Sequence, residues 1–414
     1  MATVRNEGGK VYIAGVRKVS WDTGEMCEFA SSLLSAMLCL GEPASYPLIM
    51  GTSGVAFRFT LTPSECEFGD YSIRNVAPDP HEPVRRAFRA LGDDCILHNK
   101  GAKAEDAARI MASIDRGVPV LAYPVVGPSD CCVLTGYDDR GEVLLGWSTY
   151  QNIPVDHDIP HDETGYFRKP GWHDNLEGYV LIGAKKSRPP KREIYLDALR
   201  WAVQLMRTPN MGAKRTGLAG LGAWAKEMTE DRLFLAGDEE ALGMRYISTA
   251  INITMLKDHG SAEPFLRQVA QELPEVAVAA DLYREVHQLR ASMDELIRDD
   301  FSPGAMAAIA DLRTRRSFAD RILQIRDKEE EAVAYLDNIC IWGQILNCNI
   351  NRGCHPATSV EMVLPRSGIP NPSGERQPGR ASPHRHLSRQ GWSSANMAMR
   401  DLTPDFHHKV GTLQ

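Results

Sequence analysis

The most regular hydrophobic pattern near the start of the chain covers residues 21–41, which predict a loop followed by an amphipathic helix. Apolar residues recur at every third or fourth position, the spacing that places them on one face of a helix. Asp22 and Glu25 have the spacing of a capping box at the helix start, and Gly41 predicts the helix end. The expected apolar face consists of Phe29, Leu33, Met37 and Leu40.

The remainder of the first half predicts short helices followed by an antiparallel sheet. We expect helices at 83–91 and 103–116, because the apolar residues of each segment share one face. Apolar runs bounded by Gly, Pro and Asp predict strands and hairpins, and helices that precede an antiparallel sheet are typical of an α+β fold. The expected strands cover 10–17, 55–61, 118–126, 131–137, 142–150 and 178–184.

A short glycine-containing segment, Gly-Thr-Ser-Gly at 51–54, precedes the second of these expected strands. It predicts a tight turn into the strand. An alternative is that its backbone N–H groups hold an oxyanion or a phosphate.

The second half of the chain has a different pattern. A basic, proline-containing linker at 185–192 follows the domain expected over 1–184. Residues 193–338 have amphipathic helical periodicity throughout and predict an all-α domain without a chemical motif. Residues 339–414 are rich in Pro, Gly, Ser, Arg and His without periodicity, and this composition predicts a disordered tail.

Composition and charge narrow the functional classes. The chain has 414 residues, a hydrophobic fraction of 43% and a net charge of −7, so nothing in its overall charge indicates a nucleic-acid or membrane partner. No apolar run reaches the length needed to cross a bilayer, and the first residues are not typical of a secretory signal. We therefore expect a cytoplasmic protein without a cofactor, whose oligomeric state the sequence does not fix. The nine cysteines contain no CxxC pair, so we expect thiols rather than disulfides.

Cys27 is the first candidate for chemistry. Its predicted position in or near the first helical turn places the thiol at the positive end of the helix dipole, which favours the thiolate. The alternative is a buried core cysteine, because free cysteine is among the most buried residue types.

A long loop at 151–177 is the second candidate, because loops of this length inside a domain are often functional. It contains His157, His161 and His173, together with Trp172. The imidazole groups are candidate proton carriers for Cys27.

The first half resembles the papain-like double-glycine (bacteriocin-leader) cysteine peptidases and, within that group, the family of the N-terminal domain of butirosin biosynthesis protein H, an acyltransferase. The residues that carry the resemblance are Cys27, the segment MGTSGVAFRF at 50–59 and the segment CCVLTGYDDRGEVLLGWS at 131–148. The resemblance implies a papain-like fold followed by a helical domain. It also implies a cysteine nucleophile and, as substrate, a peptide or an acylated small molecule or carrier.

The chain departs from the pattern of this family at its partner residues. The family has a His where this chain has Ser129, Asp130, Cys131 and Cys132, so Asp130 is the nearest candidate for a polar group there. The Asp-Pro that orients the His is replaced by Trp147-Ser148, and no Gln precedes Cys27 after Val19.

Three hypotheses follow. In the first, Cys27 attacks a carbonyl carbon in acyl transfer or amide hydrolysis, backbone N–H groups hold the oxyanion, and a loop histidine moves the proton. In the second, the domain is a catalytically inactive scaffold that binds a peptide or a small molecule, while the helical domain serves interaction. The expected pocket residues are Ser53, Trp147, Ser148, Tyr150 and Trp172.

The third hypothesis is a metal site at His157 and His161, completed by His173 or Cys131. Pro160 disfavours this hypothesis, because it breaks the helical geometry that would bring His157 and His161 together.

Overall fold

The computed structural model describes residues 3–62, 71–127, 131–151, 159–234, 239–300 and 302–351, with side chains up to Ile341. His157, Asp130 and residues 352–414 of the expected tail therefore lie outside the described residues. Residues 1–348 belong to one compact unit.

The first half combines an antiparallel sheet with four helices that pack against it or beside it. The helices are α1 (Glu28–Cys39), α2 (Tyr46–Ser53), α3 (Glu82–Leu91) and α4 (Lys103–Asp115). The strands are β1 (Thr3–Glu7), β2 (Lys10–Ala14), β3 (Asp93–Asn99), β4 (Val120–Tyr123), β5 (Cys132–Asp138), β6 (Val143–Trp147), β7 (Phe167–Pro170) and β8 (Gly178–Lys185).

The sheet brings together strands that are distant in the sequence. Its main path has the order β1-β2-β5-β4-β8-β3, and β6 joins β5 to β7. All of these pairings are antiparallel. Both α1 and α4 contact β4 and β5, and α3 contacts β3. The described part of the first half is thus a mixed α and β structure with an antiparallel sheet, as predicted.

The second half is helical. Its helices are α5 (Lys191–Arg207), α6 (Gly217–Met228), α7 (Glu239–Asp258), α8 (Ala262–Ala270), α9 (Ala277–Met293), α10 (Pro303–Ala310) and α11 (Leu312–Asn351). A short hairpin of β9 (Asn210–Met211) and β10 (Lys214–Arg215) separates α5 from α6. Helix α11 continues past 338, where the sequence pattern predicted the end of the domain. Within the described residues, no helix combines the length and apolar character that a membrane span requires.

The segment after α2 differs from its prediction. Residues 55–61 were expected as a strand, but they form a 3-10 turn at Val55–Phe57 followed by extended backbone outside the sheet. Helices of the second half enclose this segment: Phe57 packs against Phe265 and Tyr283 with centroid distances of 6.1 and 5.4 Å. Its apolar residues are buried by helices rather than by neighbouring strands, so the strand prediction was wrong.

The predicted capping box is also absent at the start of α1. Asp22 lies in a separate 3-10 turn, Trp21–Thr23, which Gly24 closes in the left-handed conformation with φ 76°. Glu25 forms an ion pair with Arg17 at 2.7 Å. The left-handed Gly24 ends the first turn before α1 begins at Glu28, so the acidic side chains cannot cap that helix.

Candidate functional site

Cys27 is the N-cap residue of α1. Its backbone is extended, with φ −83° and ψ 112°, and its side chain makes no capping hydrogen bond. The Cys27 N–H donates to the hydroxyl oxygen of Tyr46 at 2.8 Å, which ties the head of α1 to the start of α2. Cys27 is only 3% exposed. The sequence therefore located the thiol correctly at the helix start, but the thiol is enclosed.

A buried polar cluster from both halves of the chain adjoins Cys27. The Tyr71 hydroxyl lies 3.2 Å from Asp258 Oδ1 and 3.4 Å from the carbonyl oxygen of Met26, the residue before Cys27. Arg58 pairs with Asp258 Oδ2 at 3.3 Å, with side-chain exposures of 2% and 0%. Asp258 is the last residue of α7, so the helical half contributes a carboxyl group next to the thiol.

The charges around Cys27 favour the neutral thiol. Burial raises the pKa of Cys27 well above its ordinary value, and the negative charges of Asp258 and Glu28 raise it further. The backbone N–H of Ala30 and the positive charge of Arg58 act in the opposite direction without cancelling the rise. The helix dipole at the N-cap is thus outweighed by desolvation and by two carboxylates.

The pKa of Asp258 is also displaced. Burial raises it to about 6, although the Arg58 charge and the Tyr71 hydrogen bond lower it. A carboxyl group with such a pKa changes charge between mildly acidic and neutral pH.

Cys131 faces the same site from the sheet. The Ser32 hydroxyl of α1 donates to the Cys131 carbonyl oxygen at 3.4 Å, which places the peptide of Cys131 against α1. The Cys131 side chain is buried, and burial raises the pKa of its thiol, with further increases from Cys132 and Cys27. Cys131 is therefore a second neutral thiol close to Cys27.

Tyr123 of β4 lies beside Cys131. Its hydroxyl is buried and has no nitrogen or oxygen partner among the described residues, and the Cys131 thiol beside it is a weak acceptor. Burial raises the pKa of Tyr123 well above the ordinary value, and the neighbouring Cys131 and Cys27 raise it further. A stronger acceptor that reached this hydroxyl would improve its hydrogen bonding.

The two loop histidines that the structure describes form hydrogen bonds elsewhere. His161 Nε2 contacts the Gln151 carbonyl oxygen at 3.1 Å. His173 Nε2 contacts Asp106 Oδ2 at 3.1 Å, and the Tyr179 hydroxyl donates to the other oxygen of the same carboxylate at 3.0 Å. Neither imidazole is bonded to Cys27. The loop histidines thus have a visible structural role, while the predicted roles of His157 and Asp130 fall outside the described residues.

The expected pocket residues are not all in one place. Trp147 is 8% exposed and donates through Nε1 to the Val16 carbonyl oxygen at 3.0 Å. The Ser148 hydroxyl accepts from the Tyr150 N–H at 3.1 Å. The Tyr150 ring meets Trp21 edge to face at 4.9 Å, and Trp21 Nε1 in turn donates to Glu28, the first residue of α1. These residues connect the end of β6 with the segment before Cys27.

Trp172 and Ser53 serve packing. Trp172 is fully buried and donates through Nε1 to the Gly141 carbonyl oxygen at 2.9 Å. The Ser53 hydroxyl donates within its own helix to the Met50 carbonyl oxygen at 3.3 Å. The Ser53 carbonyl oxygen accepts from Trp201 Nε1 at 3.1 Å, a contact between α2 and α5. Residues 51–54 therefore end a helix against the second half, and they do not form the predicted turn into a strand.

A surface pocket reaches the sheet next to these thiols. Cross-strand pairs place Leu97, Val180 and Leu121 on one face of the sheet, and Tyr123, two residues after Leu121, shares that face. Val133 pairs with Leu121, so Cys131 lies on the same face. The polar residues of the pocket are Arg74, His81, His98, Asn99, Tyr123 and Glu177.

The pocket is small, with a cavity volume of about 20 Å³, and its polar groups are suited to hydrogen bonding with one small neutral group. Arg74 forms an ion pair with Glu177. Burial, with the nearby Arg74 charge, lowers the pKa of His81. Burial, with the Arg109 charge, lowers the pKa of His98. Neutral imidazole and phenol groups match the amide and carbonyl groups of a peptide better than fully charged groups do.

Sequence inspection missed the partners of Cys27 that the structure brings to it: Tyr46, Arg58, Tyr71 and Asp258. The one local signal was Asp258-His259 at the end of an otherwise apolar helical stretch. An Asp-His pair is equally typical of an exposed helix end, so the ion pair between Asp258 and Arg58 could be recognised only from the tertiary structure.

The described residues contain no group of three or more His, Cys, Asp or Glu placed to hold a metal ion. In comparisons with known proteins, no protein-family model and no curated protein matches the chain.

Proposed function

We propose that residues 1–184 form a papain-like domain that binds a peptide or an acylated small molecule on the Cys27 side of its sheet, and that Cys27 is not an activated nucleophile in the ligand-free protein. The observation that carries the proposal is the state of the thiol. Cys27 is buried, and burial together with Asp258 and Glu28 raises its pKa, whereas an activated cysteine requires a lowered pKa.

The pocket beside Tyr123 supports binding as the function. Tyr123 both lines this pocket and adjoins Cys131, and its hydroxyl has only the weakly accepting Cys131 thiol beside it. A ligand carbonyl that accepts from this hydroxyl would replace that weak contact by a stronger hydrogen bond. The neutral imidazoles of His81 and His98 supply further donors and acceptors for an amide group.

The binding proposal is tested with N-acetyl-Gly-Gly amide as a blocked peptide, titrated calorimetrically at millimolar concentrations. We expect binding that Tyr123→Phe weakens about fivefold, equivalent to about 1 kcal/mol for one hydrogen bond. Tyr137→Phe is the matched control, because the Tyr137 hydroxyl bonds to Asp115 instead. Absence of binding to the wild type, or equal binding by both variants, would contradict the proposal.

A second candidate is thiol-dependent acyl transfer or amide hydrolysis with Cys27 as nucleophile. The observation that favours it is the N-cap position of Cys27, where the Ala30 N–H and the Arg58 charge both lower the thiol pKa. In this candidate a bound substrate would reduce the influence of the carboxylates, and His157 and Asp130 remain candidates for the proton carrier.

This second candidate is tested with the thioester S-acetyl-N-acetylcysteamine. Cys27 Sγ would attack the thioester carbonyl, and the leaving thiolate would take the proton that Cys27 gives up. Mass spectrometry of a proteolytic digest should then find acetyl on Cys27 in the wild type and no acetyl on the corresponding peptide of Cys27→Ser. Acetylation confined to other cysteines would contradict this candidate.

A further inference from the structure

Asp258 connects the helical half of the chain to the surroundings of the Cys27 thiol. Asp258 ends α7, in the segment whose sequence predicted no chemistry. It is nevertheless fully enclosed at 1% exposure and is bonded to Arg58 and Tyr71, both from the first half. Burial of a carboxylate costs desolvation free energy unless the group is paired. The position of Asp258 beside the residues that adjoin Cys27 therefore indicates a specific role.

The geometry links Asp258 to Cys27 through one short path. The Tyr71 hydroxyl stands between Asp258 Oδ1, at 3.2 Å, and the Met26 carbonyl oxygen, at 3.4 Å. The Arg58 guanidinium stacks over the Tyr71 ring at 4.9 Å and donates through Nη1 to the Ser72 carbonyl oxygen at 2.9 Å. Asp258 thus fixes two side chains that border the Met26-Cys27 peptide.

We propose that Asp258 is the positioning residue of the Cys27 site, fixing Tyr71 and Arg58 beside the head of α1, so that the site is built jointly by the two halves of the chain. The inference rests on Cys27 belonging to the site proposed above. Asp258 acts through its charge and through Tyr71 and Arg58. The Nε atom of Arg58 is buried without a hydrogen-bond partner. The guanidinium group therefore keeps one donor available near the thiol.

The protonation of Cys27 and Asp258 is also subject to every other ionisable group around them. These groups are Glu28 of α1, Tyr46 of α2, Arg58, Tyr71, Tyr123 of β4, Cys131 and His259. Among them, Glu28 and Asp258 carry the negative charges that raise the Cys27 pKa, and Asp258 has the larger effect of the two. Replacing Asp258 by Asn therefore removes the negative charge with the larger effect and keeps the positive charge of Arg58 beside the thiol.

The test is a titration of the Cys27 thiol in the full-length chain by the 13Cβ chemical shift of selectively labelled cysteine, with assignment by Cys27→Ser. This measurement needs neither a ligand nor access of a reagent to the buried thiol. We expect Asp258→Asn to lower the midpoint by at least about one pH unit, a tenfold gain in thiolate at a given pH. Asp299→Asn is the matched control, because Asp299 pairs with Lys257 at the same end of α7.

Asp258→Ser provides a second variant if Asp258→Asn does not fold. It removes the same carboxylate, and its hydroxyl can still accept from Tyr71, so the Cys27 midpoint should fall by a similar amount. Titration curves of Cys27 that coincide in the wild type and in either folded Asp258→Asn or folded Asp258→Ser would overturn the inference. So would an equal shift in Asp299→Asn. A failure to bind the blocked peptide would contradict only the proposed function, because this titration involves no ligand.

Discussion

His259 Nε2 lies 2.7 Å from the carbonyl oxygen of Arg58, and this bond joins the end of α7 to the segment that follows α2. The other ring nitrogen of His259, Nδ1, contacts the carboxylate of Glu329 on α11. Both partners are acceptors, so the ring serves both of them best when it is doubly protonated. All of these groups are buried. The contact therefore forms a buried ion pair that connects α11, the end of α7 and Arg58.

Replacing His259 by Ala should destabilise the protein in a pH-dependent way. Burial by itself lowers the pKa of His259, but the charge and hydrogen bond of Glu329 outweigh it and raise the pKa above 6.5. The stability that protonated His259 contributes is therefore complete below pH 6.5 and is lost as the pH rises through the higher folded-state value. We expect a loss of about 3–5 kcal/mol at pH 6, as for a broken buried pair, and a smaller loss at pH 9.

Urea unfolding at both pH values measures this effect. His287→Ala is the control, because His287 is exposed on α9. An equal loss for His259→Ala at pH 6 and pH 9 would show that the imidazole contributes only packing.

Asp258 should give the stability of the wild type the same direction of pH dependence as His259, because its pKa is also raised on folding. Its pKa rises from 3.8 to about 6 on folding, so between these values the folded state binds more protons than the unfolded state, and stability falls as the pH rises. The shift corresponds to about 3 kcal/mol. Relative to the wild type, Asp258→Asn should therefore gain about this free energy of unfolding between pH 4 and pH 7. Parallel stability curves for the two proteins would contradict the assignment.

Residues 51–62 show how a local pattern predicts the burial of a segment but neither its secondary structure nor its surroundings. The apolar residues in this segment are indeed buried, as their pattern indicated. However, the Thr62 N–H donates to Asn252 Oδ1 at 3.1 Å, and the Leu61 N–H donates to the Arg215 carbonyl oxygen at 2.8 Å. Both partners come from the second half, more than a hundred residues away. A single sequence gives no sign of such contacts, so a neighbouring strand was the default expectation.

Gly51 should be intolerant of substitution because of this interface. A Cβ at Gly51 would lie 2.3 Å from the ring of Phe265, which packs beneath α2. We expect Gly51→Ala to cost at least about 1–3 kcal/mol through overpacking. Gly222→Ala in α6 is the matched control: its nearest neighbour would be Arg326 Nη1 at 3.6 Å, and the gain in helix propensity should stabilise the protein by about 0.5–1 kcal/mol. Thermal unfolding measures both, and equal tolerance of the two substitutions would refute the close approach.

The strands and the thiol were more predictable than the partners of the thiol. Strands β5, β6 and β8 begin and end within a few residues of their predicted bounds, because alternating apolar residues between turns are a local property. The position of Cys27 at the head of α1 was likewise encoded by its neighbours. The carboxyl group of Asp258 and the guanidinium of Arg58 are separated by 200 residues and meet only after the halves pack. The loop histidines were predicted to be catalytic because the sequence does not show the contacts of His173 with Asp106 and of His161 with Gln151.

Substitution of His173 distinguishes a structural role of the histidine-containing loop at 151–177 from a role in the chemistry of Cys27. The His173 imidazole bonds to Asp106, which is fully buried and also accepts from the Gly101 N–H at 2.8 Å. Burial raises the pKa of Asp106, but the bonds from Gly101, His173 and Tyr179 together lower it. We expect His173→Ala to lower the free energy of unfolding by about 1–3 kcal/mol, because it leaves a buried acceptor with one partner fewer.

The same substitution should leave the Cys27 titration unchanged, since His173 is bonded to Asp106 and not to the thiol. Urea unfolding and the 13Cβ shift of Cys27 test the two parts on one sample. His173→Gln is the conservative control, because its amide can donate to Asp106 and should recover part of the stability. A changed Cys27 midpoint in His173→Ala, with unchanged stability, would contradict the structural role of His173 and indicate that the loop acts on the thiol.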